Sequence, residues 1–152
     1  MEHTEWRRGN FTISTDRDRL DREVIHRFLK DSYWAPEVPR EIVDRSIENA
    51  MCFGLYEGPR QIGFARVISD FATFAYLADV FVLESHRGKG LAVWLVETIR
   101  AHPKLQNLRR WMLATRDAHG LYRKSGFAPL SHPERIMEIV DTDIYRRLRE
   151  KR

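Results

Sequence analysis

A polar loop with two glycines, at residues 84–90, constrains the fold more than any other part of the chain. This glycine loop follows an apolar run at 73–83, in which aromatic and β-branched residues favour a strand. After the loop, Leu91, Trp94 and Leu95 recur at the spacing of one helical face. A strand that leads through a short loop into a helix begins a crossover connection, so we expect helices packed on a sheet.

The other hydrophobic patterns support a mixed α/β fold. Strands are predicted at 11–14, 51–57, 61–69, 73–83 and 109–115, with two more at 127–128 and 135–140. Helices are predicted at 20–29, 39–50, 91–99 and 118–124, and a basic helical tail from about 141. Thr15 and Asp18 are predicted to cap the first helix.

Length and composition narrow the class of protein. A chain of 152 residues fits one domain, and 43% hydrophobic with 32% charged residues excludes a wholly disordered or fibrous chain. The net charge of +4 permits an anionic ligand without requiring one. The single cysteine, Cys52, cannot form an internal disulfide, and no apolar run suits a signal or a membrane span. We therefore expect a soluble cytoplasmic protein.

The position of the glycine loop at a helix start is typical of phosphate binding, because backbone N–H groups and the helix dipole favour an anion there. A P-loop is excluded because Leu91 follows Gly90, and a dinucleotide fingerprint is excluded because Val93 stands at the third glycine position. The pattern Arg/Gln-x-x-Gly-x-Gly/Ala is satisfied by Arg87, Gly90 and Ala92.

A second segment adds context. Residues 117–127 read Asp-Ala-His-Gly-Leu-Tyr-Arg-Lys-Ser-Gly-Phe, and with the glycine loop they resemble the GNAT superfamily of N-acetyltransferases. Two departures are visible, since Thr115 stands where many members have Asn and Ala92 replaces the commoner last glycine. The resemblance implies one domain over 1–152, with a mixed, mostly antiparallel sheet of about six to seven strands flanked by about four helices.

The resemblance also implies a site for acetyl-CoA. The backbone of Val80, Phe81 and Val82 would pair with the pantetheine arm, as an added strand does. Tyr122 would lie near the thioester sulfur and give a proton to the departing thiolate. The residues that would hold the pyrophosphate are Arg87, Gly88, Lys89, Gly90, Leu91 and Ala92.

Asp79 is the most unusual acid, because it lies inside an apolar strand. In the family resembled here this strand passes the acetyl group, so Asp79 is either the base that deprotonates an amine or a structural carboxylate. We expect a small primary amine as acceptor, held by Tyr33, Trp34, Phe74, Tyr76 and Asp79. Asp79 has the opposite strand parity to Phe74 and Tyr76, so one flat face holds them all only if a β-bulge re-aims the strand.

Other kinds of site find little support. The six histidines form no i, i+4 pair and there is no second cysteine, which argues against a zinc site, and no Gly-x-Ser-x-Gly elbow is present. The basic residues are interleaved with acids, so we expect no nucleic-acid partner and no membrane partner. Two alternatives stay open: a non-catalytic CoA- or nucleotide-binding module, and a basic protein that binds nucleic acid. Exposed strand edges favour a homodimer.

Overall fold

The computed structural model describes residues 2–151, so residues 1 and 152 of the predicted domain lie outside the described residues. Six strands form one sheet in sequence order. The first five are antiparallel to their neighbours, and the sixth joins the fifth in parallel. The strands are β1 (Glu5–Arg8), β2 (Phe11–Ser14), β3 (Met51–Glu57), β4 (Arg60–Ser69), β5 (Phe74–Val82) and β6 (Arg110–Met112). The expected mixed, mostly antiparallel sheet is confirmed.

Five helices accompany the sheet: α1 (Arg22–Lys30), α2 (Arg40–Glu48), α3 (Leu91–Arg100), α4 (His119–Arg123) and α5 (Ile144–Glu150). They cover its two faces separately. On one face, Leu95 and Ile99 of α3 are buried with Leu55 of β3. On the other, Ile25 of α1 and Ile47 of α2 are buried in a second cluster that reaches Phe64 and Phe81 of the sheet. The sheet therefore has one hydrophobic core on each face.

The start of α1 differs from the sequence prediction. Asp21 caps the helix, because its side chain accepts the Val24 N–H at 3.2 Å. The capping role predicted for Thr15 and Asp18 is wrong: Thr15 Oγ1 accepts the Thr4 N–H at 2.8 Å, and Asp18 lies inside a short 3₁₀ turn, where its N–H donates to Asp16 at 3.0 Å. The Asp21 carboxylate starts the longer helix because its position directly precedes the apolar stripe.

Two further regions depart from expectation. Strand β1 was not predicted, because its residues are mostly polar; it forms a hairpin with β2 through Gly9, whose φ is +57°. The two strands predicted at 127–128 and 135–140 are wrong, since this part of the chain forms a 3₁₀ turn at Pro133–Arg135 and otherwise no regular element. Apolar alternation alone does not make a strand when no neighbouring strand completes its hydrogen bonds.

No helix within residues 2–151 combines the length and apolar character that crossing a lipid bilayer requires.

Candidate active site

A cavity of about 850 Å³ opens beside β5. Strand β6 pairs with β5 only at Phe74–Tyr76, and no strand pairs with the β6-facing edge of β5 beyond that point within the described residues. The cavity occupies the space that a longer β6 would fill. Its walls come from the α1–α2 connection, the second half of β5, the start of α3 and the α4 segment.

A β-bulge marks the change along β5. Phe64 of β4 lies opposite Phe81, but Arg66 lies opposite Ala78, so one residue of β4 faces two of β5. One of those two is Asp79, which has a φ of +56°, a region that side chains other than glycine seldom adopt. The structure thus contains the bulge that a cleft shared by Tyr76 and Asp79 requires, and both residues line the cavity.

Both carboxylate oxygens of Asp79 are hydrogen-bonded. Trp34 Nε1 donates to Oδ1 at 3.0 Å, and Arg66 Nε donates to Oδ2 at 2.8 Å. The Arg66 and Asp79 side chains are only 16% and 11% exposed. Such a buried pair is tolerable because each charge compensates the other and the donors satisfy the oxygens, which also holds the strained bulge in place.

Tyr122 projects from α4 into the opposite wall of the cavity. The residue is 9% exposed, and burial, followed by the neighbouring Tyr33 and Asp117, raises the pKa of its phenol to about 12. Its carbonyl oxygen accepts the N–H groups of Ser125 and Phe127 at 3.0 and 3.2 Å, which fixes the end of the short helix. The phenol therefore stays protonated near neutral pH and can donate a proton into the cavity.

The open edge of β5 presents a backbone donor. Leu83 N–H donates to Ile62 O at 2.8 Å. Because N–H groups alternate in direction along an antiparallel strand, the N–H and C=O of Val82 point away from β4, toward the open edge. The Val82 carbonyl accepts Arg87 Nε at 3.1 Å. The Val82 N–H therefore faces the space beside the strand.

The glycine loop leads from this edge into α3. Gly88 and Gly90 have φ values of +80° and +74°, and a Cβ built on either would meet nothing within 4 Å. Gly90 is the N-cap residue of α3, and no side chain caps this helix. The first-turn N–H groups are therefore available to an anion, and of the predicted loop residues Arg87 and Ala92 line the cavity itself, while the Leu91 side chain is buried in the core.

Besides Asp79, three of the four aromatic residues predicted to hold the acceptor line the cavity: Tyr33, Trp34 and Tyr76. Tyr33 links two walls, because its hydroxyl accepts the backbone N–H of Arg116 at 2.9 Å and its ring lies 4.0 Å from the Arg116 guanidinium carbon. The structure does not bring Phe74 to the cavity. Phe74 begins β5, opposite Arg110 of β6, in the part of the strand that has neighbours on both sides.

Sequence reasoning missed several residues of the cavity wall. Phe28 of α1 stacks on Phe81 with ring centroids 4.0 Å apart, and Tyr145 of α5 closes the same side. No local motif marks either residue, since each reaches the cavity only through helix packing. Arg66 had a signal, because a lone arginine inside the apolar β4 run is the natural partner for a lone aspartate in the next strand.

Metal ligands and a reactive thiol are not part of this arrangement. No group of three or more His, Cys, Asp or Glu residues within 2–151 is arranged to hold a metal ion. Cys52 is buried, and burial raises the pKa of its thiol to about 11, as expected for a packed hydrophobic side chain.

Comparison with known proteins gives a consistent assignment. The family model described as acetyltransferase (GNAT) family matches residues 16–127. A Gibberella zeae protein named as a candidate acetyltransferase is 32% identical over 141 residues, covering 79% of this chain and 80% of its own. The crystal structure of a candidate GNAT-family acetyltransferase from Xanthomonas campestris pv. campestris is 50% identical, covers 89% of this chain and 96% of its own, and has a TM-score of 0.86.

A more distant structure shares the fold alone. It is the crystal structure of a candidate acetyltransferase with acetyl-CoA from Clostridium acetobutylicum, 15% identical, with a TM-score of 0.64, covering 91% of this chain and 95% of its own. The family match over most of the chain and the identity to the fungal relative, together with the open strand edge and glycine loop, show that the protein belongs to the acetyltransferase (GNAT) family.

Proposed function

We propose that this protein transfers an acetyl group from acetyl-CoA to the primary amine of a small molecule, by direct attack while both substrates are bound. One observation carries the proposal: the open edge of β5, the glycine loop and Tyr122 meet around one cavity. The structure from Clostridium acetobutylicum that contains acetyl-CoA has the same fold, which supports this choice of acyl donor.

The residues present fit acetyl-CoA. The unpaired edge of β5 at Val80–Val82 offers backbone groups to an extended amide-containing arm, as strand addition does. The glycine loop has open space above Gly88 and Gly90 and a helix start without a side-chain cap, which fits a pyrophosphate. Arg87 adds positive charge where it lines the cavity, whereas the Lys89 ammonium lies 5.8 Å from the centre of the Phe11 ring.

The chemistry assigned to this chain is positioning and charge stabilisation. Holding thioester and amine in one cavity removes the entropy cost of their encounter from the reaction step. The Val82 N–H stabilises the negative charge that develops on the carbonyl oxygen under attack. Tyr122 gives its proton to the sulfur of the departing thiolate.

Asp79 is the proposed base for the amine proton, directly or through one water. Two carboxylates line the cavity within the described residues, Asp79 and Asp117. The Asp117 side chain is 65% exposed, whereas Asp79 is nearly buried beside the aromatic wall that Tyr33, Trp34 and Tyr76 form. The Asp79 carboxylate would attract the ammonium form of the acceptor and accept the proton that the amine loses during attack.

The aromatic wall favours a cationic acceptor. Tyr33 and Trp34 are 41% and 40% exposed and line the cavity, as does Tyr76 of β5. Aromatic faces next to a carboxylate attract an ammonium group through its charge. A cytoplasmic location belongs to the same proposal, because the single buried thiol needs no oxidising compartment.

A screen tests this function. Purified protein is mixed with acetyl-CoA and panels of small amines, polyamines, amino acids and peptides, and release of the CoA thiol is measured. Turnover with a small primary amine, lost in Tyr122→Phe, is the expected result. Tight acetyl-CoA binding without turnover on any panel would instead favour a non-catalytic CoA-binding module. A salt-dependent shift with DNA or RNA and no acetyl-CoA binding would favour the nucleic-acid alternative.

A further inference from the structure

Arg66 of β4 lines the main cavity and uses only part of its hydrogen-bonding capacity. Its Nε atom donates to Asp79 Oδ2 at 2.8 Å, and both of its Nη atoms bond no other residue in the described part of the chain. The buried side-chain atoms that lack a partner in that part belong to Arg17, Tyr56 and Ser125. The Nη atoms of Arg66 are therefore accessible, and their N–H groups can donate to a ligand in the cavity.

Asp79 also keeps spare capacity beside this arginine. Trp34 donates to its Oδ1 and Arg66 to its Oδ2, but a carboxylate oxygen can accept more than one hydrogen bond. Asp79 lines the same cavity. The two side chains therefore present a negatively charged acceptor and a positively charged donor next to each other, where a ligand can reach both.

The opposite charges of this pair favour a ligand that carries both signs. A simple ammonium ion meets a carboxylate whose charge the adjacent guanidinium largely compensates. A zwitterion with an ammonium group and a carboxylate on the same carbon bonds Asp79 and Arg66 at once. The other charged groups in the wall among the described residues fit less well, because Arg87 of the glycine loop donates to the Val82 carbonyl and the Asp117 side chain is mostly exposed.

The side of the cavity formed by α1, α2 and their connection is apolar. Its lining includes the buried side chains of Leu29, Val38 and Val43, and no charged side chain of α1 or α2 among the residues described. Ser46 is the polar residue of α2 in this wall, and its hydroxyl already donates to the Val43 carbonyl at 2.7 Å. An apolar side chain of a ligand that extends toward α2 therefore leaves water without leaving a polar group unpaired.

We propose that the acceptor of the acetyl transfer proposed above, on which this step rests, is an α-amino acid with an apolar side chain. Its ammonium group bonds Asp79, its carboxylate accepts N–H groups from the Arg66 Nη atoms, and its side chain packs toward α2. The ammonium group releases one proton to water, and the neutral amine attacks the thioester carbonyl. A C–N bond forms, the nitrogen loses its second proton to Asp79, and the C–S bond breaks as Tyr122 protonates the sulfur. Water returns the Asp79 proton to Tyr122, and the products are an N-acetyl amino acid and CoA.

Matched acceptors test this in the wild-type protein. Leucine and phenylalanine are each compared with their amide and with the decarboxylated amine of the same side chain, isoamylamine or phenethylamine, by release of the CoA thiol. We expect kcat/KM for the better amino acid to exceed that of its amide and its amine by at least about tenfold, because a charge-assisted hydrogen bond is lost. The amine of an amino amide is less basic, so more of it is neutral, which works against the expected order. Glutamate and lysine are expected to react more slowly, because their side chains are charged.

Arg66→Lys tests the assigned partner of the carboxylate, because lysine keeps the positive charge and lacks the planar fork. The KM for the amino acid should rise about tenfold while the KM for its amide changes little, so the preference between them largely disappears. Arg45→Lys is the matched control, because Arg45 is exposed on α2 and does not line the cavity, and it should keep the wild-type preference. Calorimetry with CoA in place of acetyl-CoA measures the same preference in binding, without turnover.

The outcomes separate the amino-acid site from the acetyl transfer itself. Equal turnover of the amino acid, its amide and its decarboxylated amine would overturn the amino-acid acceptor and leave the acetyl transfer standing. Faster reaction of glutamate or lysine than of leucine and phenylalanine would overturn the apolar side chain. Amino-acid binding to the CoA complex without turnover of any amine would overturn the acetyl transfer and leave a binding site for amino acids. If Arg66→Lys does not fold, the comparison of acceptors in the wild type decides alone.

Discussion

The two halves of β5 have the same neighbour on one side and different surroundings on the other. Phe74–Tyr76 lies between β4 and β6, and Ala75 there is fully buried. Beyond the bulge at Asp79, β5 keeps β4 as its neighbour, but its other edge borders the cavity. The comparison shows how a sheet makes a binding site: a neighbouring strand stops early, and the backbone donors left unpaired become available to a substrate.

The largest expected effect is a difference in stability between two variants that each place an aspartate on one half of β5. Ala75→Asp buries a carboxylate in the core with no partner, which costs several kcal/mol against a total stability of about 5–15 kcal/mol, so the protein should not fold. Ala78→Asp places the same charge at the cavity, where water reaches it, and the protein should fold but lose activity. Circular dichroism and thermal melts check this. Equal stability of the two variants would mean that the halves do not differ as described.

Tyr122→Phe is expected to lower kcat by roughly 10²–10⁴-fold while acetyl-CoA affinity changes little, since the ring packing is kept and only the proton donor is lost. Because burial raises the pKa of Tyr122 to about 12, the donor stays protonated below that pH. The wild-type rate should therefore show no alkaline loss from this group until the pH approaches that value. Steady-state kinetics over a pH series measure both effects, and unchanged turnover in the variant would leave Tyr122 as a packing residue.

Asp79→Asn is expected to lower kcat/KM by about tenfold to a hundredfold, with the greatest loss at low pH, where less of the amine is already neutral. The asparagine keeps the shape and suits the positive φ of the bulge. Asp117→Asn is the matched control, because it removes the other carboxylate of the cavity wall from a mostly exposed position, and its pH–rate profile should stay that of the wild type. Unfolding of Asp79→Asn, or an unchanged pH–rate profile, would show that Asp79 only supports the bulge.

The smallest effect concerns the glycine loop. Gly90→Asp puts a negative charge where the pyrophosphate is proposed to bind, and we expect acetyl-CoA to bind at least about tenfold more weakly. Gly58→Asp is a matched control, because Gly58 also has a positive φ, +57°, and open space around it, but lies in the β3–β4 turn. Calorimetry measures both affinities. Equal weakening in the two variants would mean that backbone strain, not the loop position, causes the loss.

The sequence allowed the open half of β5 and the glycine loop to be predicted because their signals are local. Gly90 begins α3 because the loop and the apolar stripe are adjacent in the chain, and a cleft shared by Asp79 and Tyr76, which have opposite strand parity, required a bulge. Phe28 and Tyr145 could not be predicted, since they reach the cavity through the packing of distant helices. Phe74 was expected at the cavity because it shares the strand parity of Tyr76. Parity does not show which residues of β5 are paired with β6, and Phe74 is one of them.

The strand predictions at 127–128 and 135–140 were wrong for a different reason. Their apolar pattern predicted two strands, and the structure leaves both stretches without strand partners: Phe127 packs against the core, whereas residues 135–140 are exposed. The pattern of apolar and polar residues indicates which side chains avoid water. A strand also needs a neighbouring backbone that completes its hydrogen bonds, and whether that neighbour is present depends on the surrounding structure rather than on the segment itself.

The bulge in β5 also limits how the length of this chain can change. One residue of β4 faces two of β5 there, so β5 carries one residue more than its neighbour requires. A deletion at this point would let the two strands pair evenly and would keep the register on both sides, because Gly63 already lies opposite Val82 and Arg66 opposite Ala78. Buried Ala75 and Leu77 would keep their face of the sheet, whereas the backbone turn that carries Asp79 would be lost. A single-residue deletion at the bulge would therefore spare the core and disrupt the site, whereas a deletion elsewhere in β5 would shift the register and disrupt the core as well.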